Sequence, residues 1–306
     1  MSKYLFSIIT LCYRGATTLR RTYDSLLNQY GSDVKFEWIL VDDFSNDDDQ
    51  TVSLINELCV LAPFPTKKLF LDKNYYGAKS AFLGANIAEG EYVLILDQDD
   101  MITKNALIVF KDIVGRYRSE QSIAGACGRC IDMKGRFIGT RIKQNEIISN
   151  ELEMRHIHKI RGEMWQCTKR EIIQEYFSDL KPGYAHGHAW TRIARKYRYI
   201  YTNSIVRQYD TDNPLSTSNA KKIVCVNARV DMLRYQLVYN HDYLRHDWLT
   251  LIKRVAQYIR LSSRIGVNAN LAISVLPAEQ RYLGFAVAPL AILIAAIEGC
   301  FRRSRV

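Results

Sequence analysis

The sequence predicts an α/β protein: a mostly parallel, doubly wound sheet with flanking helices, followed by a C-terminal helical extension. Three observations predict it. Over about the first hundred residues apolar runs alternate with helical patterns, carboxylates recur at the ends of those runs, and from Ser216 the chain turns basic and helical.

The runs "LFSIITL", "FEWILVD", "KKLFLD" and "EYVLILD" are rich in Ile, Leu, Val and Phe. Near-continuous apolar stretches of this kind are strands covered on both faces. Between the first two, Thr17 or Thr18 can cap a helix carrying Leu19, Tyr23, Leu26 and Leu27 at helical spacing. A second helix is predicted from Gly77 to about Ala88, with Ala78, Ala81, Phe82 and Ala85 on its packing side. Strand and helix in this order imply right-handed crossovers and a parallel sheet. From about residue 101 to 215 the pattern loosens and predicts helices, short strands and long loops, the other wall of a site.

With 306 residues, 48% hydrophobic and 24% charged, the chain is globular and long enough for one elaborated domain or two. A net charge of +10 nominates nucleic acid, an anionic membrane surface or a polyanionic small substrate as partner. The basic residues are spread over the tail without a nucleic-acid motif, so nucleic acid is set aside. Seven cysteines without framework spacing read as thiols of a reducing compartment; the single CxxC, Cys127 to Cys130, has no second pair or obvious His ligands. The opening "MSKYLFSIITLCYRG" lacks a signal-peptide core and cleavage site and reads as a strand, which predicts a cytoplasmic location.

Acids stand at the carboxyl ends of successive runs: Asp42 and Asp43, then Asp72, then Asp97, Asp99 and Asp100. In an open α/β sheet those ends face the ligand crevice. Acids converging there repel one another unless a cation or a ligand compensates. An oxygen-rich tip such as "LILDQDD" suits Mg2+ or Mn2+, held by one or two carboxylates together with substrate phosphates.

In order along the chain, "SIITLCYRGATTLRRTYDSLLNQ", "FEWILVDDFSNDD" and "NYYGAKSAFLGANIAEGEYVLILDQDD" resemble the nucleotide-sugar-binding half of the family 2 glycosyltransferases of GT-A fold, of the bacterial polysaccharide and lipopolysaccharide type. The resemblance implies inverting transfer of a sugar from a nucleoside-diphosphate sugar with a divalent cation, Mn2+ or Mg2+. It places Asp43 at the base or ribose of the nucleotide, Lys79 near the diphosphate, Asp97 near the ribose or sugar, and Asp99 on the metal. On the residues alone, Lys79 reads equally as a solvated helix charge, Asp43 as a turn residue ahead of Ser45 and Asn46, and Asp42 as structural. A phosphotransferase of the haloacid dehalogenase type also uses DxD at a strand end, but on its first strand; here the motif lies on the fourth apolar run, followed by Met101.

Further on, "GEMWQCTKREII" and "GHAWTRIARKYRYIYTNSIVRQYDTDNPLS" resemble the acceptor-side half of a subset of bacterial family 2 enzymes, with Trp190, a "TRIARKY" helix, Asn203 and a turn ending in Leu215 and Ser216 matched. Four residues before the Trp such enzymes place an acidic general base. This chain has His186. An imidazole is a competent base near neutral pH, although protonation makes it a cation rather than a neutral acid. Three readings stay open: His186 as base, a base from elsewhere such as Asp179, or a site that has lost transfer activity. His186 and His188 as a metal pair lack a third ligand, and His156 and His158 read as a basic, solvated stretch.

Beyond Leu244, apolar Trp248, Leu251, Ile252, Val255 and Ile259 follow a helical period with Lys253, Arg260 and Arg264 on another side, a candidate for an anionic membrane interface or a packed helix. The later "YLGFAVAPLAILIAAIEG" falls short of a span of about 20 residues and carries Pro289, so an interfacial anchor or buried helix is expected rather than a crossing. Residues 1–105 are thus assigned to the donor half, 106–215 to the acceptor-side half, and 216–306 to a basic amphipathic tail. The function expected is metal-dependent inverting transfer to a saccharide or lipid-linked saccharide, on the inner face of the cell membrane. The alternatives are a non-catalytic nucleotide-sugar-binding component and a membrane scaffold.

Overall fold

A computed structural model describes residues 2–212 and 226–303, with side chains to 298. The elements run β1 (Tyr4–Cys12), α1 (Leu19–Leu27), β2 (Phe36–Asp42), α2 (Gln50–Leu61), β3 (Thr66–Phe70), α3 (Ala78–Ile87), β4 (Gly90–Asp97), β5 (Met101–Ile102), α4 (Ala106–Arg116), β6 (Ile123–Asp132) and β7 (Glu146–Ser149). They continue with α5 (Glu151–His156), β8 (Met164–Lys169), α6 (Arg170–Phe177), α7 (His186–Ile193), β9 (Arg198–Tyr209), α8 (Val226–Tyr239), α9 (His241–Leu244), α10 (Trp248–Arg264), α11 (Ala269–Ser274) and α12 (Ala278–Arg303). The chain divides into two compact units, residues 1–151 with 160–220, and residues 152–159 with 221–306. The predicted turn at Leu215 and Ser216 lies outside the described residues.

The first unit is built on one nine-stranded sheet in the order β3-β2-β1-β4-β8-β6-β9-β5, with β7 beside β9. Pairs β1–β2, β1–β4 and β2–β3 are parallel, as the strand-helix alternation requires. Every residue of β2 is buried, the outcome expected of an unbroken apolar strand inside a covered sheet. Its mid-strand acid, Glu37, is compensated in place: it accepts from the Ser7 hydroxyl (2.6 Å) and the Glu89 amide (2.6 Å) and pairs with Lys67 (3.0 Å). Helix α3 packs through small residues, Ala78, Ser80, Ala81, Gly84 and Ala85. A Cβ on Gly84 would come within 2.8 Å of Ile9 Cγ2, so the helix lies close on the sheet.

Past β4 the loosened pattern hides long strands. β6, β8 and β9 join the same sheet, β8 antiparallel to β4 and β6, and β9 parallel to β6. Residues 101–212 therefore extend the sheet as well as supplying helices and loops. Cys127, Cys130 and Cys167 on β6 and β8 are buried free thiols, and burial pushes the Cys130 thiol up to about 11.

The second unit is helical. Its core gathers Leu233, Leu237, Leu244, Val255, Tyr258, Ile259 and Leu276, with α10 packed on α8, α11 and α12. His156 is here, buried, its Nδ1 3.4 Å from Asp247 Oδ2, which corrects the solvated reading for that residue, whereas His158 is exposed. A buried imidazole needs a polar partner, and a carboxylate distant in sequence provides it. Pro289 does not interrupt α12 either. The helix runs on through it, because Pro289 is exposed while Ala288 and Ala291 beside it are packed in the core.

Sheet closure sets a sharp steric limit at β6–β8. A Cβ on Gly125 would stand 1.9 Å from the Cys167 carbonyl oxygen. Gly125→Ala is expected to cost about 3 kcal/mol or more, read as a lowered urea midpoint or loss of soluble protein.

Candidate active site

Register places the acids together. Cys12 pairs with Asp42, Leu11 with Asp97 and Asp42 with Phe70, so β1, β2, β3 and β4 end at one edge of the sheet. Asp42 is spent locally, its carboxylate accepting from the Ser45 amide (3.0 Å) and hydroxyl (2.6 Å), the structural role expected of it. The buried Asp43 carboxylate accepts from the Tyr75 amide (2.6 Å) and the Gly77 amide (3.2 Å), and so fixes the turn that enters α3. That turn takes positive φ at Tyr76 (60°) and Gly77 (83°), conformations that favour glycine at the second position.

The acidic tip "DQDD" is gripped from several sides. The Gln98 amide makes two bonds to the Tyr13 backbone, accepting from its N–H (2.9 Å) and donating to its C=O (2.8 Å). The Thr22 hydroxyl lies 2.8 Å from both the Gln98 and Asp100 carbonyls, and Arg21 donates to the Asp99 carbonyl (2.6 Å) while bonding the Asp210 carboxylate. Asp100 is fully buried, 3.3 Å from Arg207 and accepting from the Asp210 amide (2.9 Å). Arg207 also reaches Glu163 at 2.7 Å. Burial drives the Asp100 carboxyl well up, with Arg207 opposing. Burial alone would lower Arg207, but Cys130, Asp100 and Glu163 outweigh it and hold the guanidinium charged.

These bonds leave Asp97 differently placed. It is half-buried, and its carboxylate accepts no hydrogen bond among the described residues. Its field falls instead on His186, Asp100 and Arg207.

His186 is the first residue of α7, so the histidine lies within the helix rather than ahead of it, and the "ARKY" end of the matched segment lies beyond the helix. Its ring packs on Phe177 with centroids 6.0 Å apart, while His188 packs on Tyr184 at 5.1 Å; the two rings diverge. Its Nε2 is buried without a hydrogen-bond partner, 3.8 Å from where a Cβ on Gly77 would stand. Burial lowers its pKa below 6.5, opposed by the Asp97 carboxylate and the Gly77 backbone. A helix N-terminus disfavours a cation in the same direction. Asp179 is exposed and held by Arg192 through bonds of 2.9 and 3.0 Å. Lys79 reaches the Ser178 carbonyl (2.9 Å) and lies over the Phe82 ring.

The structure therefore brings Asp43, Gly77, His186 and Asp97 to one place, with Asp99 on the adjoining tip and Lys79 engaged with a backbone carbonyl beside it. Among the described residues no three His, Cys, Asp or Glu form a metal cage. The donor set fits a hard cation that takes one or two carboxylates and draws its other ligands from a phosphate substrate and water, with the Asp97 carboxylate uncommitted.

The family model for glycosyl transferase family 2 matches residues 7–177. The chain belongs to glycosyltransferase family 2. It is 31% identical over 135 residues to the poly(ribitol-phosphate) beta-N-acetylglucosaminyltransferase TarP of Staphylococcus aureus, an alignment spanning 43% of this chain and 38% of TarP. Among solved structures, S. aureus TarS 1–349 in complex with UDP-GlcNAc superposes with a TM-score of 0.65 at 18% identity, covering 98% of this chain and 92% of that one. The Pyrobaculum calidifontis mannosyltransferase PcManGT, solved with GDP-Man and Mn2+, gives 0.51 at 16% identity over 96% and 73%. These likenesses establish the GT-A fold.

Sequence reading missed Arg21, Thr22, Glu163, Arg207 and Asp210. Only Arg207 left a signal, a lone charge inside the apolar "SIVRQY" strand, which has to find a buried partner. The Gln98 clamp is testable through Gly15, where a Cβ would fall 2.0 Å from Gln98 Oε1. Gly15→Ala should break both bonds to Tyr13 and speed amide hydrogen exchange at the 97–101 tip about tenfold, with the melting temperature little changed.

Proposed function

We propose that this family 2 glycosyltransferase moves a sugar from a nucleoside-diphosphate sugar to a hydroxyl of a saccharide or lipid-linked saccharide polymer, with inversion and with His186 as the base. The observation that carries the reading is the imidazole itself: kept neutral by burial, pressed on Gly77 and within the field of an uncommitted Asp97. The substrates printed for TarS and PcManGT, UDP-GlcNAc and GDP-Man, support the donor class. The name of TarP supports a hydroxyl-bearing polymer as acceptor.

In the proposed step the acceptor oxygen forms a bond to the anomeric carbon as the bond to the diphosphate breaks. The hydroxyl proton passes to the imidazole. Asp43 keeps the turn before α3 in place under the nucleotide, Asp97 positions the ribose or sugar, and Lys79 adds positive charge near the diphosphate. Asp99 would hold Mn2+ or Mg2+. A divalent cation bound there would act as a Lewis acid on the departing diphosphate.

An acid in the place of His186 would become neutral on taking the proton; the imidazole becomes a cation. The Asp97 carboxylate is the group that offsets this charge, which gives the two residues one function.

His186→Ala should lower turnover with UDP-GlcNAc or GDP-Man about 10²–10⁴-fold and leave donor affinity nearly unchanged, because a base acts in the transition state. His186→Glu should recover part of that rate. In the wild type the rate should fall with acid through a pKa below 6.5, and this limb should vanish in the Ala variant. Stability follows the same sign: with its folded pKa lowered, His186 contributes fully above 6.5 and loses that contribution as pH falls toward its folded value. An unchanged turnover in the Ala variant refutes the assignment.

UDP or GDP with Mn2+, at about a hundred times Kd, should add about 2.7 kcal/mol of stability, seen as a melting shift. Asp99→Ala should abolish the metal-dependent part of that shift. A shift of full size in the variant would move the metal ligand elsewhere.

A further inference from the structure

The helical unit carries 15 Lys and Arg against 6 Asp and Glu, a net +9, while the sheet unit has 27 against 26, a net +1. Nearly all the chain's excess charge thus belongs to the smaller unit, and phosphate binding at the sheet edge does not explain it.

The same unit holds an inside-out helix. α12 buries its small residues, Gly284, Ala288, Ala291 and Ala295, one helical stripe on which a Cβ at Gly284 would come 3.1 Å from Ile273. Its large apolar side chains face away: Tyr282 is 82% exposed, Leu290 64% and Leu293 57%, with Phe285, Ile292 and Ile297 also exposed. A helix folding for water alone would do the reverse, since burying a Leu stabilises far more than burying an Ala. From Tyr282 to Ile297 the helix has no charged residue. A contiguous apolar face of this kind marks a surface that another phase or molecule covers.

We propose that α12 lies in the plane of an anionic lipid surface, its large apolar side chains among the acyl chains and the positive unit facing the headgroups. Charge decides the occupant. A net +9 repels a second copy of the same unit and attracts acidic phospholipid. Packing decides the orientation. The 21-residue stretch Ala278–Glu298 is long and apolar enough to cross a membrane. Its small-residue stripe, however, is packed in a core with α10 and α11, and Glu298 is paired with Arg260 (2.9 Å) and Arg264 (3.2 Å) of α10. A crossing would draw those charges into hydrocarbon, whereas lying in the interface leaves the ion pairs at headgroup level. The inference rests on the helical unit alone and stands or falls independently of sugar transfer.

The test is co-sedimentation of the full chain with phosphatidylcholine vesicles, with and without phosphatidylglycerol. Binding is expected to the anionic vesicles, to weaken as salt rises, and to drop about tenfold or more in the double variant Leu290→Glu with Leu293→Glu. An unchanged melting shift with UDP or GDP and Mn2+ would show the sheet unit of that variant folded. Three results overturn the proposal: no binding of the wild type to anionic vesicles at low salt, equal binding to neutral vesicles, or equal binding by the double variant. A wild-type dimer by light scattering that the double variant dissolves, without vesicle binding, would assign the face to a second copy instead.

Discussion

Asp100 and Arg207 form the interaction on which the sheet unit depends. One stands just past β4 and the other near the end of β9, and both are buried. Neither charge is tolerable alone in that position, and removing one partner of such a pair is strongly destabilising because the other is left uncompensated. The pair therefore ties the parallel first part of the sheet to the strands added later. It also brings Asp210 to the tip, where its amide bonds Asp100 and its carboxylate bonds Arg21, which in turn holds the Asp99 carbonyl. Asp100 thus takes the structural role in the tip, while the Asp97 carboxylate accepts no hydrogen bond among the described residues.

This division of labour explains what could be read from the sequence. β2 was legible to the residue and α3 to within one, because a fully covered strand and a small-residue helix leave compositional marks that do not depend on distant partners. The family resemblance drew on the same region. β6 and β8 were not legible, nor was the pairing of β9, the strand that carries Asn203 in the acceptor-side resemblance. Their runs are broken by charges such as Arg129 and Arg207, whose partners are supplied only by tertiary structure. His156 was misread for the same reason: Asp247, its partner, is 91 residues away. Within the site, the strand-end acids followed from position, while the grip on them by Arg21, Thr22 and Gln98 required the folded register.

His186 shows how a change of residue type changes the electrostatics a site needs. In the proposed reading a carboxylate base beside Asp97 would meet repulsion in its resting state and relief once protonated. The imidazole has the opposite sequence, neutral at rest and attracted to Asp97 when charged. Burial and the N-terminus of α7 hold the ring in the resting form, against the Asp97 carboxylate and the Gly77 backbone. Such a site tolerates a cation nearby before the step, provided the ring stays neutral, and this is the direction in which burial moves it.

The charge distribution carries the same logic to the scale of the whole chain. The sheet unit is close to neutral, at net +1, although several of its acids stand at the strand ends. The helical unit holds the remaining excess and the large exposed apolar side chains of α12. If both features served the soluble donor, the charge would be expected around the strand ends and the large side chains of α12 inside its bundle. Instead, charge and apolar surface fall on one unit and, in the proposed reading, the donor chemistry falls on the other. That separation is what an enzyme needs when one substrate arrives from solution and the other is held at a surface.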